Sequence, residues 1–328
     1  MSLDADVAAV RLAVRRRGVM DVGHGTVLVA CSGGADSLAL LAAAVFETRA
    51  GPGRVVGVTV DHGLQDGSAE QAARVVAQMV GLGADETASA RVQVEASGQG
   101  PEAAAREARY TVLQEMAGHF GAEAVLLGHT LDDQAETVLL GLTRGSGGRS
   151  VAGMRPTFDG FRRPLLGIRR SQTEAACRAE GIDFWTDPHN DDPRFTRSRV
   201  RHTVLPLLER ELGPGVAETL ARTAEQLRPD MEALDRLAEA ALATYLADGG
   251  FDVRAIEELE QAVRTRMLRL AAVHAGCPPG ELFAVHVDAL ERQVWNRDQL
   301  PKEIQLPGHV TAYRQGDHLR FRRTVVES

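Results

Sequence analysis

Three groups of residues in this 328-residue chain have types and spacings that suit chemistry. The first is Ser32-Gly33-Gly34-Ala35-Asp36-Ser37, which ends the apolar run Val27 to Ala30 and leads at once into SLALLAAAVFE. A strand that breaks into a glycine-bearing turn and then a helix presents backbone N–H groups at a helix N-terminus, where the dipole adds partial positive charge and phosphate can be cradled. Paired glycines permit positive φ and close approach of the backbone to a ligand. Asp36 does not favour bare phosphate; a cation or a nucleoside group is its natural partner. The second group is GHTLDDQAET, in which Asp132, Asp133 and Glu136 crowd a predicted first helical turn beside His129. One acid is enough to favour a helix dipole, by about 0.3–1 kcal/mol. Three can hold Mg²⁺ on phosphates or grip an ammonium group. The third is the arginine series Arg194, Arg197, Arg199 and Arg201, followed by His202. Such a series serves either as a solvated basic face or as a binder of RNA phosphates, with Phe195 available to stack on a splayed base.

The loop is neither of the two common nucleotide turns. It lacks the lysine of G-x-x-x-x-G-K-[ST] and the spacing of G-x-G-x-x-G. The net charge of −8 argues against nucleic acid as a general partner, but residues 141–210 hold 13 arginines against 8 acids, a net +5. A local patch, rather than the total, sets the footprint for a polyanion. Arg144 and Arg149 in the TRGSGGRS loop belong to this basic stretch. Lys302 is the only lysine, which reads as base composition and carries no functional meaning here.

These residues require elements to position them. Apolar, β-branched runs at 26–31, 54–60, 90–95 and 124–128 alternate with helical stretches at 37–48, 68–81, 101–118 and 132–143. That order predicts βαβ units in a doubly wound parallel α/β sheet, with ligands outside the carboxyl ends of the strands. Asp61-His62 ends the second run and Gly128-His129-Thr130 ends the fourth, where this rule places a site. From about Gly213 the texture becomes Ala/Leu/Glu-rich and helical, ending in short strands with a turn at Gln315-Gly316-Asp317. The expected organisation is a catalytic domain over 1–213 and a smaller, mostly helical domain over 214–328. The sequence contains no run of eighteen apolar residues and no signal-peptide pattern at the N-terminus, so a cytoplasmic protein without a membrane span is expected. Cys31, Cys177 and Cys277 are too few and too scattered for a disulfide framework or a zinc ribbon.

The hexapeptide resembles the SGGxDS loop of the N-type ATP pyrophosphatases. Together with VDHGLQDGSAEQA (60–72), EAAAREARY (102–110), LGHTLDDQAETVLLGLTRGSG (127–147) and HNDDPRFTRSRVRHTVLPLL (189–208), it resembles the tRNA(Ile)-lysidine synthase family over roughly residues 25–210. The resemblance implies ATP-dependent adenylation of the wobble cytidine of an isoleucine tRNA with a CAU anticodon. Attachment of free lysine at C2 follows, changing codon recognition from AUG to AUA. It also implies ATP contacts from 32–37, Asp61 and His62, and Mg²⁺ at Asp36. Arg106 and Arg109 become active-site residues, Arg109 the stronger. Asp132, Asp133 and Glu136 become lysine ligands, with Asp133 orienting or deprotonating the amine. His129 becomes an acid–base helper or phosphate ligand. The arginines at 144, 149, 194, 197, 199 and 201 become tRNA contacts, and a homodimer is expected. A tRNA thiolase would share the loop but needs sulfur-handling cysteines. An amidotransferase or NAD synthetase would need an ammonia source and would lack the arginine series. A non-catalytic RNA-binding protein would not need an intact SGGADS.

Overall fold

The computed structural model describes residues 3–20, 22–23, 25–61, 67–92, 101–144, 147–187, 191–247, 249–295 and 303–324, with side chains at 101–105 and 144 left aside. The first compact unit comprises residues 1–140 and 153–222, the second 141–152 and 223–328.

In the first unit, α1 (Ala5–Val14) is capped by the Asp4 carboxylate, which accepts the Asp6 and Val7 N–H groups. Strand β1 (Thr26–Ala30) leads through the glycine turn into α2 (Ala35–Thr48). There follow β2 (Arg54–Asp61), α3 (Ser68–Gly81), β3 (Glu86–Arg91), α4 (Pro101–Phe120), β4 (Ala122–Leu127) and α5 (Leu131–Arg144). The short α6 (Gly148–Val151) belongs to the second unit. The hairpin of β5 (Thr157–Phe158) and β6 (Phe161–Arg162) then precedes α7 (Arg170–Ala179). The sheet runs β3-β2-β1-β4-β6-β5. Its strands are parallel except β5, which pairs antiparallel with β6.

The parallel doubly wound sheet expected from the alternation is the one found. The third strand lies earlier than its apolar signal, at 86–91 rather than 90–95. Pairing with β2 from Val56↔Glu86 to Asp61↔Arg91 sets its position. Its sequence, ETASAR, is that of a partly exposed edge strand, so periodicity carried little information there.

Period-2 alternation along β1 divides the core. Val27, Val29 and Cys31 pack in the cluster of α1, α2 and α7, whereas Leu28 and Ala30 join Leu113, Val125, Leu127 and Phe161 on the other face. Burial of each such Val or Leu contributes roughly 1.5–3 kcal/mol. A sheet covered on both faces has its carboxyl edge as its open functional surface.

The helical stretch after the sheet consists of α8 (Thr196–Arg199), a π-helical turn at Val200–Val204 and α9 (Leu205–Leu212). Val200 and Leu205 bury against Leu131 and Ala135 of α5. This contact carries the arginine series onto the acidic helix.

Helix α10 (Val216–Tyr245) crosses into the second unit. That unit continues with β7 (Gly250–Asp252), α11 (Val253–Glu257), α12 (Gln261–His274), α13 (Ala284–Trp295), β8 (Glu303–Leu306), β9 (Val310–Gln315) and β10 (His318–Arg323). The strands form an antiparallel sheet in the order β7-β10-β9-β8. The turn expected at Gln315-Gly316-Asp317 joins β9 to β10, with Gly316 at φ +62°. In this unit's core, Phe251, Ile256, Met267, Leu268, Leu290 and Leu319 are buried.

Candidate active site

The glycine turn is held by its own hydroxyl and backbone groups. The Ser32 N–H donates to Ser37 Oγ at 3.1 Å, and that hydroxyl donates to the Gly34 carbonyl at 2.9 Å. Gly34 is the N-cap of α2, and no side chain caps the helix. The Ser37 N–H donates to the Gly34 carbonyl at 3.1 Å, and the N–H groups of Ala35 and Asp36 are the first-turn donors left for an anion. Gly33 sits at φ +84°, and a Cβ there would lie 2.7 Å from Val75 Cγ2. A Cβ on Gly128, at the end of β4, would lie 3.1 Å from backbone atoms of Asp36 and Ser37. Two glycines thus let the end of β4 approach the α2 backbone and let the turn pack against the Val75 side chain of α3.

Two cavities meet at this loop. One, about 450 Å³, is lined by Ala30, Val58, Val60, Asp61, Ala72 and Val75, with Arg109 and Trp185 at its border. The other, about 400 Å³, is lined by the loop, His129, Asp133, Arg170, Glu174 and Arg201, and shares Ala30, Ser32, Arg109 and Trp185 with the first. The first sets Val58, Val60, Ala72 and Val75 beside the polar Asp61, Gln71 and Arg74. The second is polar and charged. Arg109 faces both, and burial lowers its pKa. Arg106 is exposed and lies over the Tyr110 ring.

The acids of α5 do not act as three equals. Asp132 Oδ2 accepts the backbone N–H of Arg170 at 2.7 Å, and its other oxygen lies 3.5 Å from Arg169 Nη1. It caps α7. Glu136 is fully buried and receives Arg197 Nε at 2.7 Å and Arg201 Nε at 2.6 Å. Asp133 is the one that lines the cavity. Its Oδ2 accepts from the Thr130 N–H at 2.8 Å and the Thr130 hydroxyl at 2.9 Å. Its Oδ1 receives Arg170 at 2.9 Å and Arg201 at 3.1 Å. Burial pushes the Asp133 carboxyl up, but Arg170, Arg197 and the Thr130 N–H outweigh it and hold the pKa at about 2.

Arg170, on which the sequence reading placed no weight, joins both halves of the site. Its Nε lies 3.3 Å from Asp36 Oδ2, and Nη1 lies 3.7 Å from Glu136 Oε1. Thr173 donates to the other Asp36 oxygen. Burial raises the pKa of Asp36, opposed by Arg170 and Thr173. The available signal was the doubled arginine of Gly-Ile-Arg-Arg after an apolar turn, but nothing local tells which acid such a residue will meet.

Of the arginine series, Arg197 and Arg201 turn inward onto Glu136 and Asp133, whereas Arg194 and Arg199 stay exposed. Arg194 pairs with Asp192 at 2.6 Å, and Arg199 donates to the Pro193 and Arg194 carbonyls. Of the four arginines of this series expected to contact tRNA, Arg197 and Arg201 are drawn onto Glu136, because a fully buried carboxylate requires a compensating cation. Arg149 lies in the second unit and pairs with Asp235 at 2.6 Å. His62 and the Arg144 side chain lie outside the described residues. Cys31 and Cys177 are buried, and burial pushes both thiols up to about 12. They are protonated at neutral pH and poor nucleophiles. Among the described residues, no helix is long and apolar enough to cross a membrane.

An open parallel sheet with an SGGADS turn at the carboxyl edge defines a PP-loop nucleotide-binding protein. The chain matches the PP-loop domain family over residues 10–208 and the TilS substrate binding domain family over 251–320. It is 50% identical over 303 residues to a tRNA(Ile)-lysidine synthase of Streptomyces coelicolor, covering 90% of this chain and 85% of that one. It is 51% identical over 306 residues to one of Thermobifida fusca, covering 92% and 93%. The chain belongs to the tRNA(Ile)-lysidine synthase family. The fold is also that of the U34-tRNA thiolase NcsA from Methanococcus maripaludis, solved with its [4Fe-4S] cluster: TM-score 0.57, 19% identity, 68% of this chain and 79% of that one covered.

Proposed function

We propose that the chain performs its family's reaction, ligating lysine to C2 of the wobble cytidine of an isoleucine tRNA with a CAU anticodon. ATP is consumed to AMP and pyrophosphate. The observation that carries this reading is the pair of cavities meeting at the glycine turn, one with a Val/Ala wall beside Asp61 and one with Asp133 in its wall.

Adenosine occupies the cavity walled by Val58, Val60 and Val75, and the phosphates lie on the N-terminus of α2. In the first step the cytidine C2 oxygen attacks the α-phosphate, the bond to the β-phosphate oxygen breaks and pyrophosphate leaves. In the second step the lysine ε-ammonium gives up a proton to solvent, the free amine attacks C2, the C2–O bond breaks and AMP departs with the original oxygen. Arg109, at the border of both cavities, offsets charge on the α-phosphate and on the departing AMP. Asp133 receives the ε-ammonium and orients it. A carboxylate held at about 2 is ionised throughout the neutral range and a weak base, so Asp133 serves as a ligand and not as the proton acceptor. Asp132 and Glu136 act through others: Asp132 seats Arg170, and Glu136 anchors Arg197 and Arg201.

Mg²⁺ binds through one or two carboxylates plus substrate phosphates and retains several waters. Asp36 at the glycine turn would supply one such carboxylate, its oxygens accepting from Thr173 and lying 3.3 Å from Arg170, and the phosphates would supply the remaining ligands. When bound, the ion offsets charge on the phosphates and the leaving pyrophosphate. The tRNA backbone meets Arg194 and Arg199 on the first unit, with Arg149 and the second unit taking further parts of the molecule. A homodimer and a cytoplasmic setting complete the reading.

Incubation with isoleucine tRNA transcript, ATP and labelled lysine tests it. Label retained in the RNA, dependent on ATP, is the expected result; pyrophosphate release without lysine incorporation would point to a different second substrate.

A further inference from the structure

Arg163, immediately after β6, is 5% exposed, and each of its three guanidinium nitrogens donates a hydrogen bond. Nη1 donates to the Arg155 carbonyl at 2.6 Å and Nη2 to the Tyr110 hydroxyl at 3.2 Å. The guanidinium carbon lies 4.2 Å from the centroid of the Phe158 ring. Nε donates to Nδ1 of His129 at 3.2 Å. A guanidinium has donors and no acceptor, so His129 Nδ1 supplies a lone pair. A neutral imidazole accepting at Nδ1 carries its proton on Nε2. An imidazolium would set one N–H against another.

His129 lines the polar cavity with the glycine turn, and Arg163 does not. The Nδ1 edge therefore faces the protein and the Nε2 edge faces the cavity. We propose that Arg163 is a positioning residue that holds His129 as the neutral Nε2–H tautomer, and that this N–H donates to a non-bridging phosphate oxygen of ATP. The second half rests on the ATP reading above; the tautomer does not.

The charged surroundings agree. Burial disfavours the cation first, Arg163 beside the ring and Arg109 and Arg106 on α4 add repulsion, and Asp133 on α5 alone opposes them; the pKa falls to about 3. Tyr110, also on α4, is a hydrogen-bond partner of Arg163 rather than of the ring. His129 then contributes an uncharged donor, which strengthens as negative charge builds on phosphate and loses no proton to it. Neither a general-acid nor a cationic role is open to it.

Full-length chain labelled with ¹⁵N-histidine and observed by long-range ¹H–¹⁵N correlation tests the assignment, with His129→Gln identifying the signals. The expected pattern is Nε2 protonated and Nδ1 bare, unchanged from about pH 5.5 to 8, far above the folded-state pKa. A protonated Nδ1, or titration inside that window, overturns the proposal. Addition of the ATP analogue with a methylene between the α- and β-phosphates should move the Nε2–H resonance; an unmoved signal overturns the phosphate contact. Arg163→Met should let an Nδ1–H form of His129 appear and Arg163→Lys should keep the Nε2–H tautomer; a Met variant with the wild-type tautomer overturns the positioning role. The wild-type spectra decide the matter even if the Met variant fails to fold. In pyrophosphate release, His129→Gln retains a donor and should stay within about tenfold of wild type, against a loss of about a hundredfold or more in His129→Ala. Equal losses overturn the donor role. A wild-type tautomer as expected in a chain that does not ligate lysine would count against the functional reading alone.

Discussion

Arg170 Nη2 lies 2.9 Å from Asp133 Oδ1, and the same guanidinium reaches Asp36 at the glycine turn. One side chain thus connects the carboxylate assigned to lysine with the loop assigned to phosphate. Arg170→Met should slow both pyrophosphate release and lysine transfer by about a hundredfold or more, since misplacement by about 1 Å costs that much. If single-turnover assays find only one step slowed, Arg170 serves that step alone and the connection is incidental.

Glu136 is fully buried between Arg197 and Arg201. Removing one partner of such a cluster leaves uncompensated charge and costs about 3–5 kcal/mol. Glu136→Gln should lower the urea midpoint accordingly. Unchanged stability would mean that the arginines find solvent when released.

Asp36→Ala should abolish pyrophosphate release while circular dichroism stays that of the wild type. Asp133→Asn should instead let adenylated tRNA accumulate, because it removes the charge that receives ammonium while keeping size. Pyrophosphate and lysine incorporation followed separately distinguish the two; parallel loss in Asp133→Asn would favour a metal role for that acid.

Arg194 and Arg199 are the exposed members of their series. Replacing both by Ala should lower the slope of log affinity for tRNA against log salt by about 0.7–0.9 per lost phosphate contact. Arg197→Ala should act mainly on stability, through Glu136. A salt slope unmoved by the exposed pair would leave those residues merely solvated.

The pKa of His129 is about 3 in the folded protein, against an ordinary 6.5. The unfolded chain therefore binds the proton more readily. The stabilisation is complete above about pH 6.5 and is lost as pH falls towards 3, at up to about 1.4 kcal/mol per pH unit. Urea midpoints measured from about pH 7 to 4 should fall more steeply for wild type than for His129→Gln, which has no such group. Parallel curves would show an ordinary histidine.

Much was already determined along the chain. The strand–SGGADS–helix turn at 32–37, the alternation that makes a parallel sheet, and the placing of His129 and Asp133 at a strand end all follow from local pattern, because periodicity and glycine chemistry act over a few residues. The hairpin turn at 315–317 is of the same kind. What only the tertiary structure decided are the partners of charge. Three acids crowded in one helical turn look equivalent in sequence, yet Asp132 caps α7, Glu136 is buried beneath two arginines and Asp133 alone meets the cavity. Closely spaced arginines looked alike, yet two turn inward. Arg163 and Arg170 carried no mark of which group they would meet. Which guanidinium meets which carboxylate or imidazole depends on how α5, α7 and α8 pack, and long-range pairing of charges has no period that a sequence can display.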